Sequence, residues 1–229
     1  MKIFGKNWGE TSVMAMIPEE GTCRVIYLLE PLKNMPGLED YVKEDRCAVV
    51  SVFGMDWERD LTPWPAPKVL KRGDDFSGGA RQFLTLMEEE IIPAVEKECV
   101  PEGKEADRSI VGISLAGLFS IWATMNGGPF RSLASVSGSL WYDGFMEYLK
   151  ENDFPTAPEG IYLSVGDTEK NTRNPRMATV EDNTREAASL FASKGIKTFF
   201  ELNPGNHFSD TVPRLRKAVD HLLSLAKAQ

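Results

Sequence analysis

An α/β fold, with a mostly parallel central sheet and helices on both faces, is predicted by three observations. Apolar, β-rich runs alternate with stretches of helical period from Cys23 onward. The runs are short and almost wholly apolar, as strands buried on both faces must be. One of them, ending at Val111, passes through the small-residue turn Gly112-Ile113-Ser114-Leu115-Ala116 directly into an amphipathic helical stretch, the strand–turn–helix unit of a doubly covered sheet.

The elements follow in order. Val13 to Ile17, Arg24 to Leu29 and Cys47 to Phe53 read as the first strands, the second being central because Val25 to Leu29 is entirely apolar. Gly54 to Ala80 is rich in proline and without period, which in a compact domain marks a functional loop. Arg81 to Glu98 carries Phe83, Leu84, Met87, Ile91 and Val95 on one helical face, with Pro93 expected to bend or end it. Leu133 to Val136 is the strand after the Ser114 turn, a short helix then runs to about Leu149, and Ile161 to Val165 is the next strand. Glu181 to Ser193 is helical and stops at Gly195; Lys197 to Leu202 is the last strand; Val212 to Ala226 is the closing helix.

At 229 residues, 42% of them hydrophobic, the chain suits one domain spanning 1–229. It shows no run of about 18 apolar residues and no basic-then-apolar leader, so a cytoplasmic protein without a membrane partner is expected. Cys23, Cys47 and Cys99 have no ligand spacing and read as reduced packing thiols. A net charge of −8 argues against a nucleic-acid partner, which needs a basic face. With only two histidines, and no phosphate-cradling glycine motif, neither a metal nor another cofactor is expected.

The Ser114 turn has the form of a nucleophile elbow. Small residues at Gly112 and Ala116 let strand and helix approach, which pushes the serine outward in a strained conformation. The first free N–H groups of the following helix, Leu115 foremost, face an anion forming beside the hydroxyl. A capped, glycine-rich helix start is the competing interpretation.

A serine hydroxyl needs a base to take its proton. His221 falls off the apolar stripe of the last helix and reads as a solvated surface residue. His207 lies in the turn-forming Asn203-Pro204-Gly205-Asn206-His207-Phe208, at the carboxyl end of the last strand, where open α/β sheets place ligands. The acid that orients the imidazole is expected between serine and histidine in the chain. Val165-Gly166-Asp167-Thr168-Glu169 supplies it, with Glu169 preferred, Asp167 the alternative, and Asp143 read as a helix cap. A second oxyanion donor is expected at or near Met55, after the strand that precedes the long connection. Trp57, Arg59, Trp64 and Trp141 would wall a small-molecule pocket; for the loop from Arg59 to Pro67 a plain solvent loop is the competing interpretation.

The elbow, the segment Ser135 to Trp141, and Glu201 to Phe208 together resemble the putative esterase family of α/β-hydrolases. The similarity is greatest to its enterobactin-type trilactone-esterase branch, through Trp57 to Trp64, Asp75 to Gly79, Glu89 to Pro93 and Thr172 to Pro175. The resemblance implies cleavage of carboxylic esters through an acyl-enzyme on Ser114. His207 would shuttle the proton, Glu169 would orient the imidazole, and the Leu115 N–H would hold the oxyanion. Ala116 departs from the family's usual glycine. A siderophore trilactone as substrate, an anion that Arg59, Arg173 and Arg176 would meet through charge-assisted hydrogen bonds, and a catalytically silent binding protein on the same fold, are the alternatives; oligomeric state stays open.

Overall fold

The computed structural model describes residues 1–30, 37–69 and 73–225. The chain opens with a hairpin of β1 (Lys2–Trp8) and β2 (Thr11–Ile17), turned at Gly9, whose φ of +59° suits the tight two-residue connection. It continues through β3 (Arg24–Leu28), α1 (Glu39–Lys43) and β4 (Ala48–Phe53). The long connection follows, with α2 (Trp57–Asp60) and a small ribbon of β5 (Pro65–Ala66) and β6 (Phe76–Ser77). Next come α3 (Ala80–Leu86), α4 (Ile92–Cys99), β7 (Asp107–Ile113) and α5 (Leu115–Met125). The rest is β8 (Ser132–Val136), α6 (Phe145–Glu151), β9 (Gly160–Gly166), α7 (Val180–Ser193), β10 (Thr198–Asn203) and α8 (Thr211–Leu225).

Eight strands form one sheet in the order β1-β2-β4-β3-β7-β8-β9-β10, antiparallel at β1/β2 and β2/β4 and parallel beyond. The strand order reverses direction between β3 and β7. Connections leaving these two strands diverge to opposite sides, which opens a crevice at their carboxyl ends, the place where such sheets bind ligands. Ser114 stands there, one residue past β7. Alternate residues of the parallel strands feed two cores: Ile110, Leu133 and Ile161 pack under α3, α4, α5 and α7, while Val111, Ala134 and Tyr162 pack under α1 and α8. Among the described residues no helix is long and apolar enough to cross a membrane.

Several expectations are corrected. β1 escaped the sequence reading because neither of its faces is buried, so it has no hydrophobic alternation to reveal it. The connection from Gly54 to Ala80 is not structureless but holds α2, β5 and β6. Pro93 neither ends nor breaks its helix: α3 and α4 are joined through one π turn, Met87–Ile91, and Pro93 occupies the first turn of α4. A proline ring clashes with the carbonyl four residues back, here Glu89, and the widened π turn spans that position. Cys47 and Cys99 are buried, Cys23 is half-buried, and all three are free thiols. His221 is not simply solvated; it is half-buried and stacked on Phe199 at 4.8 Å, and burial lowers its pKa. The end of the last helix expected at Ala226 falls outside the described residues.

Candidate active site

Ser114 is the N-cap of α5 and adopts φ 59°, ψ −124°, a conformation that costs a non-glycine residue on the order of 1–3 kcal/mol. Its neighbours hold it there. The Ser114 N–H donates to Val136 O at 3.2 Å, and its carbonyl accepts from Leu118 N at 3.1 Å and Ser139 N at 3.0 Å. A Cβ on Gly112 would stand 2.1 Å from Ala116 O, so glycine is required on the strand side. On the helix side the close approach falls on Gly117, where a Cβ would meet Ser135 Oγ at 2.7 Å and Gly138 Cα at 3.0 Å. Ala116 keeps its methyl group, fully buried. The departure at 116 thus leaves the elbow intact, with Gly117 taking the tight contact one residue later. Leu115 buries its side chain, while its N–H opens the helix without an intrahelical acceptor.

His207 Nδ1 lies 2.8 Å from Glu169 Oε2. The Glu169 side chain is 3% exposed, and of the two carboxylates weighed in its loop it is the one that faces His207. Its other oxygen, Oε1, accepts from Gly166 N at 2.6 Å, Ser137 Oγ at 2.6 Å and Arg214 Nη1 at 3.2 Å. Burial pushes this carboxyl upward, but the hydrogen bonds from His207, Ser137 and Gly166 outweigh it and hold the group below its ordinary range. An ionised carboxylate only accepts, so the Nδ1 position of His207 is the donor in this contact, which in a neutral imidazole leaves Nε2 as the lone-pair nitrogen. Asp167 is occupied elsewhere: its Oδ1 accepts from Gly205 N at 2.8 Å and ties the β9 loop to the histidine loop. Asp143 does not cap α6, whose N-cap is Gly144; its carboxylate pairs with Arg176 Nε at 2.8 Å.

The Ser114 hydroxyl is 3.3 Å from Ser139 Oγ, and among the described residues no hydrogen bond joins it to His207. Sequence reasoning passed over Ser139, Ser137 and Arg214. Ser137 offered a faint signal in the Ser135-Val136-Ser137-Gly138-Ser139 run, and Arg214 offered none, a polar residue near the start of an amphipathic helix. Met55 loses the argument that put the second oxyanion donor there. It follows β4, and β3 lies between β4 and the elbow strand. The strand that pairs with the elbow strand on that side is β3.

The expected pocket residues separate into groups. Trp57 is half-buried on α2 against the larger core. Arg59 is exposed and its fork is engaged by Asp60, Nε to Oδ1 at 2.7 Å and Nη2 to Oδ2 at 3.1 Å, which removes it as a free anion receptor. Trp64 donates from Nε1 to Asp143 O at 2.8 Å and packs on Tyr142, Phe145 and Tyr148. Trp141, two residues past Ser139, lines a cavity of about 450 Å³ with Arg176 and Asn183. Arg176 is half-buried there, also donating to Pro67 O at 2.7 Å. Arg173 is exposed. Among the described residues no three His, Cys, Asp or Glu side chains are grouped as a metal ion would require.

Comparison with known proteins gives the family and the fold. The family model described as "Putative esterase" matches residues 9–219. The chain belongs to this esterase family. The IroE-like serine hydrolase from Shewanella oneidensis superposes with a TM-score of 0.77 at 18% identity, covering 97% of this esterase and 80% of that chain. The siderophore hydrolase EstA from Aspergillus nidulans gives 0.74 at 19% identity over 99% and 95%. The enterobactin esterase FES from Shigella flexneri, in the presence of enterobactin, gives 0.73 at 16% identity over 98% and 58%. These likenesses show a shared α/β-hydrolase fold. In sequence, the protein YbbA of Bacillus subtilis (strain 168) is 25% identical over 162 residues, 69% of this esterase and 65% of YbbA, so the match spans less than two thirds of that relative.

Proposed function

We propose that this esterase cleaves carboxylic esters through an acyl-enzyme on Ser114, with His207 as base and acid and Glu169 as the orienting carboxylate. The observation that carries the reading is the 2.8 Å contact of His207 Nδ1 with the buried Glu169, at the same sheet end as a strained, outward-facing serine. In the first half-reaction the Ser114 hydroxyl exchanges Ser139 for His207 Nε2, and Oγ attacks the ester carbonyl as its proton passes to the imidazole. Such contacts commonly tighten only when substrate binds. The negative charge on the carbonyl oxygen is met by the Leu115 N–H and the positive end of α5. Collapse breaks the carbonyl–alkoxy bond, and the imidazolium protonates the departing alcohol. A water molecule then repeats the sequence on the acyl-enzyme, releasing the acid and restoring Ser114.

Stoichiometric labelling of Ser114 by a fluorophosphonate, read by intact mass, tests the reading. It requires the label and the hydrolysis of a nitrophenyl acyl ester to disappear together in Ser114→Ala. Persistence of either in that variant, or absence of both in the wild type, overturns it and favours a silent binding protein on the same fold.

A siderophore trilactone is the narrower substrate reading. It draws support from fold neighbours described as a siderophore hydrolase and an enterobactin esterase. Hydrolysis of the nitrophenyl ester without hydrolysis of a ferric trilactone would sink it.

A further inference from the structure

Arg214 lies in the first turns of α8 and is 2% exposed, an unusual place for a guanidinium. Its contacts explain the burial. Nη1 donates to Glu169 Oε1 and to Ser137 Oγ, each at 3.2 Å, and Nη2 donates to Pro204 O at 2.7 Å. Ser137 follows β8, Glu169 follows β9 and Pro204 follows β10. One planar group therefore joins the three connections that leave the sheet beside the elbow, including the one bearing His207.

The backbone is cleared for it. A Cβ on Gly166 would stand 2.3 Å from Gly205 O, 2.9 Å from Glu169 Oε1 and 3.0 Å from Arg214 Nη2. Ser137, buried, takes a positive φ of 48° that puts its hydroxyl 2.6 Å from the same carboxylate oxygen. With Oε1 engaged on three sides, the carboxyl group has one rotational setting, and that setting turns Oε2 to His207.

We infer that Arg214, together with Ser137, is a positioning residue for the reaction: it fixes the charge and rotation of Glu169 and tethers the His207 loop, so that the imidazole is kept as its Nδ1–H tautomer. This rests on the acyl-enzyme reading for its catalytic consequence, but the tautomer is observable without turnover. Arg214 Nη1, 3.2 Å from Oε1, is also the buried counter-charge of this carboxylate.

The test is ring-nitrogen NMR of the two histidines, assigned with His221→Gln, in wild type, Arg214→Met and Arg214→Lys, with kcat, KM, fluorophosphonate labelling rate and Tm measured alongside. The expected result is a single His207 Nδ1–H tautomer in the wild type and a tautomer mixture in Arg214→Met. In that variant kcat and the labelling rate fall on the order of ten- to a hundredfold, a part of the ~10⁴ lost when a triad acid is neutralised. KM stays within about twofold, and Arg214→Lys recovers part of the loss. A folded Arg214→Met with lower Tm but unchanged tautomer and labelling makes Arg214 merely structural and overturns the proposal. Should Arg214→Met not fold, Ser137→Ala takes its place, with a few-fold loss and a partial tautomer change expected and no change overturning. If the wild type is not labelled at all, the acyl-enzyme reading falls while the tautomer still decides the role of Arg214.

Discussion

Ser139 holds Ser114 twice: its N–H donates to the Ser114 carbonyl at 3.0 Å, and its hydroxyl lies 3.3 Å from the Ser114 hydroxyl. The backbone contact braces the strained turn, whereas the side-chain contact competes with His207 for Oγ. Ser139→Ala removes only the second. Since a neutral hydrogen bond is worth about 0.5–1.5 kcal/mol, the fluorophosphonate labelling rate at Ser114 should rise by up to about tenfold with little change in Tm. A fall in rate would mean that the Ser139 hydroxyl assists the reaction instead of delaying it.

The elbow should tolerate a methyl group at one position and refuse it at the next. Gly117→Ala sets a Cβ 2.7 Å from Ser135 Oγ and 3.0 Å from Gly138 Cα, on the turn that carries Ser139. Overpacking of this kind costs about 1–3 kcal/mol, and it displaces Ser139 from Ser114. Ala116→Gly relieves no clash and adds backbone freedom, for a loss of about 1 kcal/mol or less. Urea unfolding of the two variants, with labelling rates, checks the order; equal effects would remove Gly117 as the close-approach residue.

Glu169 gives the stability of the protein a specific dependence on acid. Its carboxyl is held below the ordinary value in the fold by His207, Ser137 and Gly166 against the cost of burial, so the folded state binds its proton later than the unfolded chain does. That contribution is complete above the unfolded value of about 4.3 and is lost as pH falls through the lower folded value. Glu169→Gln, which resembles the protonated acid, should therefore be destabilised most at pH 7, by about 3 kcal/mol because Arg214 is left buried without its counter-charge. The gap to wild type should close as the pH drops below about 4. Urea midpoints at pH 7, 5 and 3.5 measure it; a gap that stays constant with pH refutes the assignment.

The strand–elbow–helix unit was legible because it is local: period and small residues lie within a few positions of one another. Glu169 and His207, 38 residues apart, were legible through the chain order of a triad and a turn at the end of each strand. Arg214 was not legible. Polar residues in the first turn of an amphipathic helix are ordinarily solvated, and only the convergence of three separate connections gives this one a buried partner. Met55 failed for a related reason. Chain order made β4 look like the strand beside the elbow, whereas the sheet inserts β3 between them, and strand order is a long-range property that no window of residues contains. Arg59 failed through a neighbour: a carboxylate one residue away took the fork that an anionic substrate was expected to use.

Trp64, expected from the sequence to wall a pocket, separates packing from recognition. Its indole N–H is committed to Asp143 O at 2.8 Å, and its ring packs at tilted and edge-on angles among Tyr142, Phe145 and Tyr148, so it fastens the long connection to the start of α6. Trp64→Phe keeps most of the ring contact and loses the hydrogen bond, for about 1 kcal/mol. Trp64→Ala also opens a cavity, for about 3–5 kcal/mol if the site cannot collapse. If anchoring is the whole role, both variants lower Tm in that order while KM for a nitrophenyl ester stays within about twofold in Trp64→Phe. A several-fold rise in KM at unchanged Tm in Trp64→Phe would return the indole to the substrate wall.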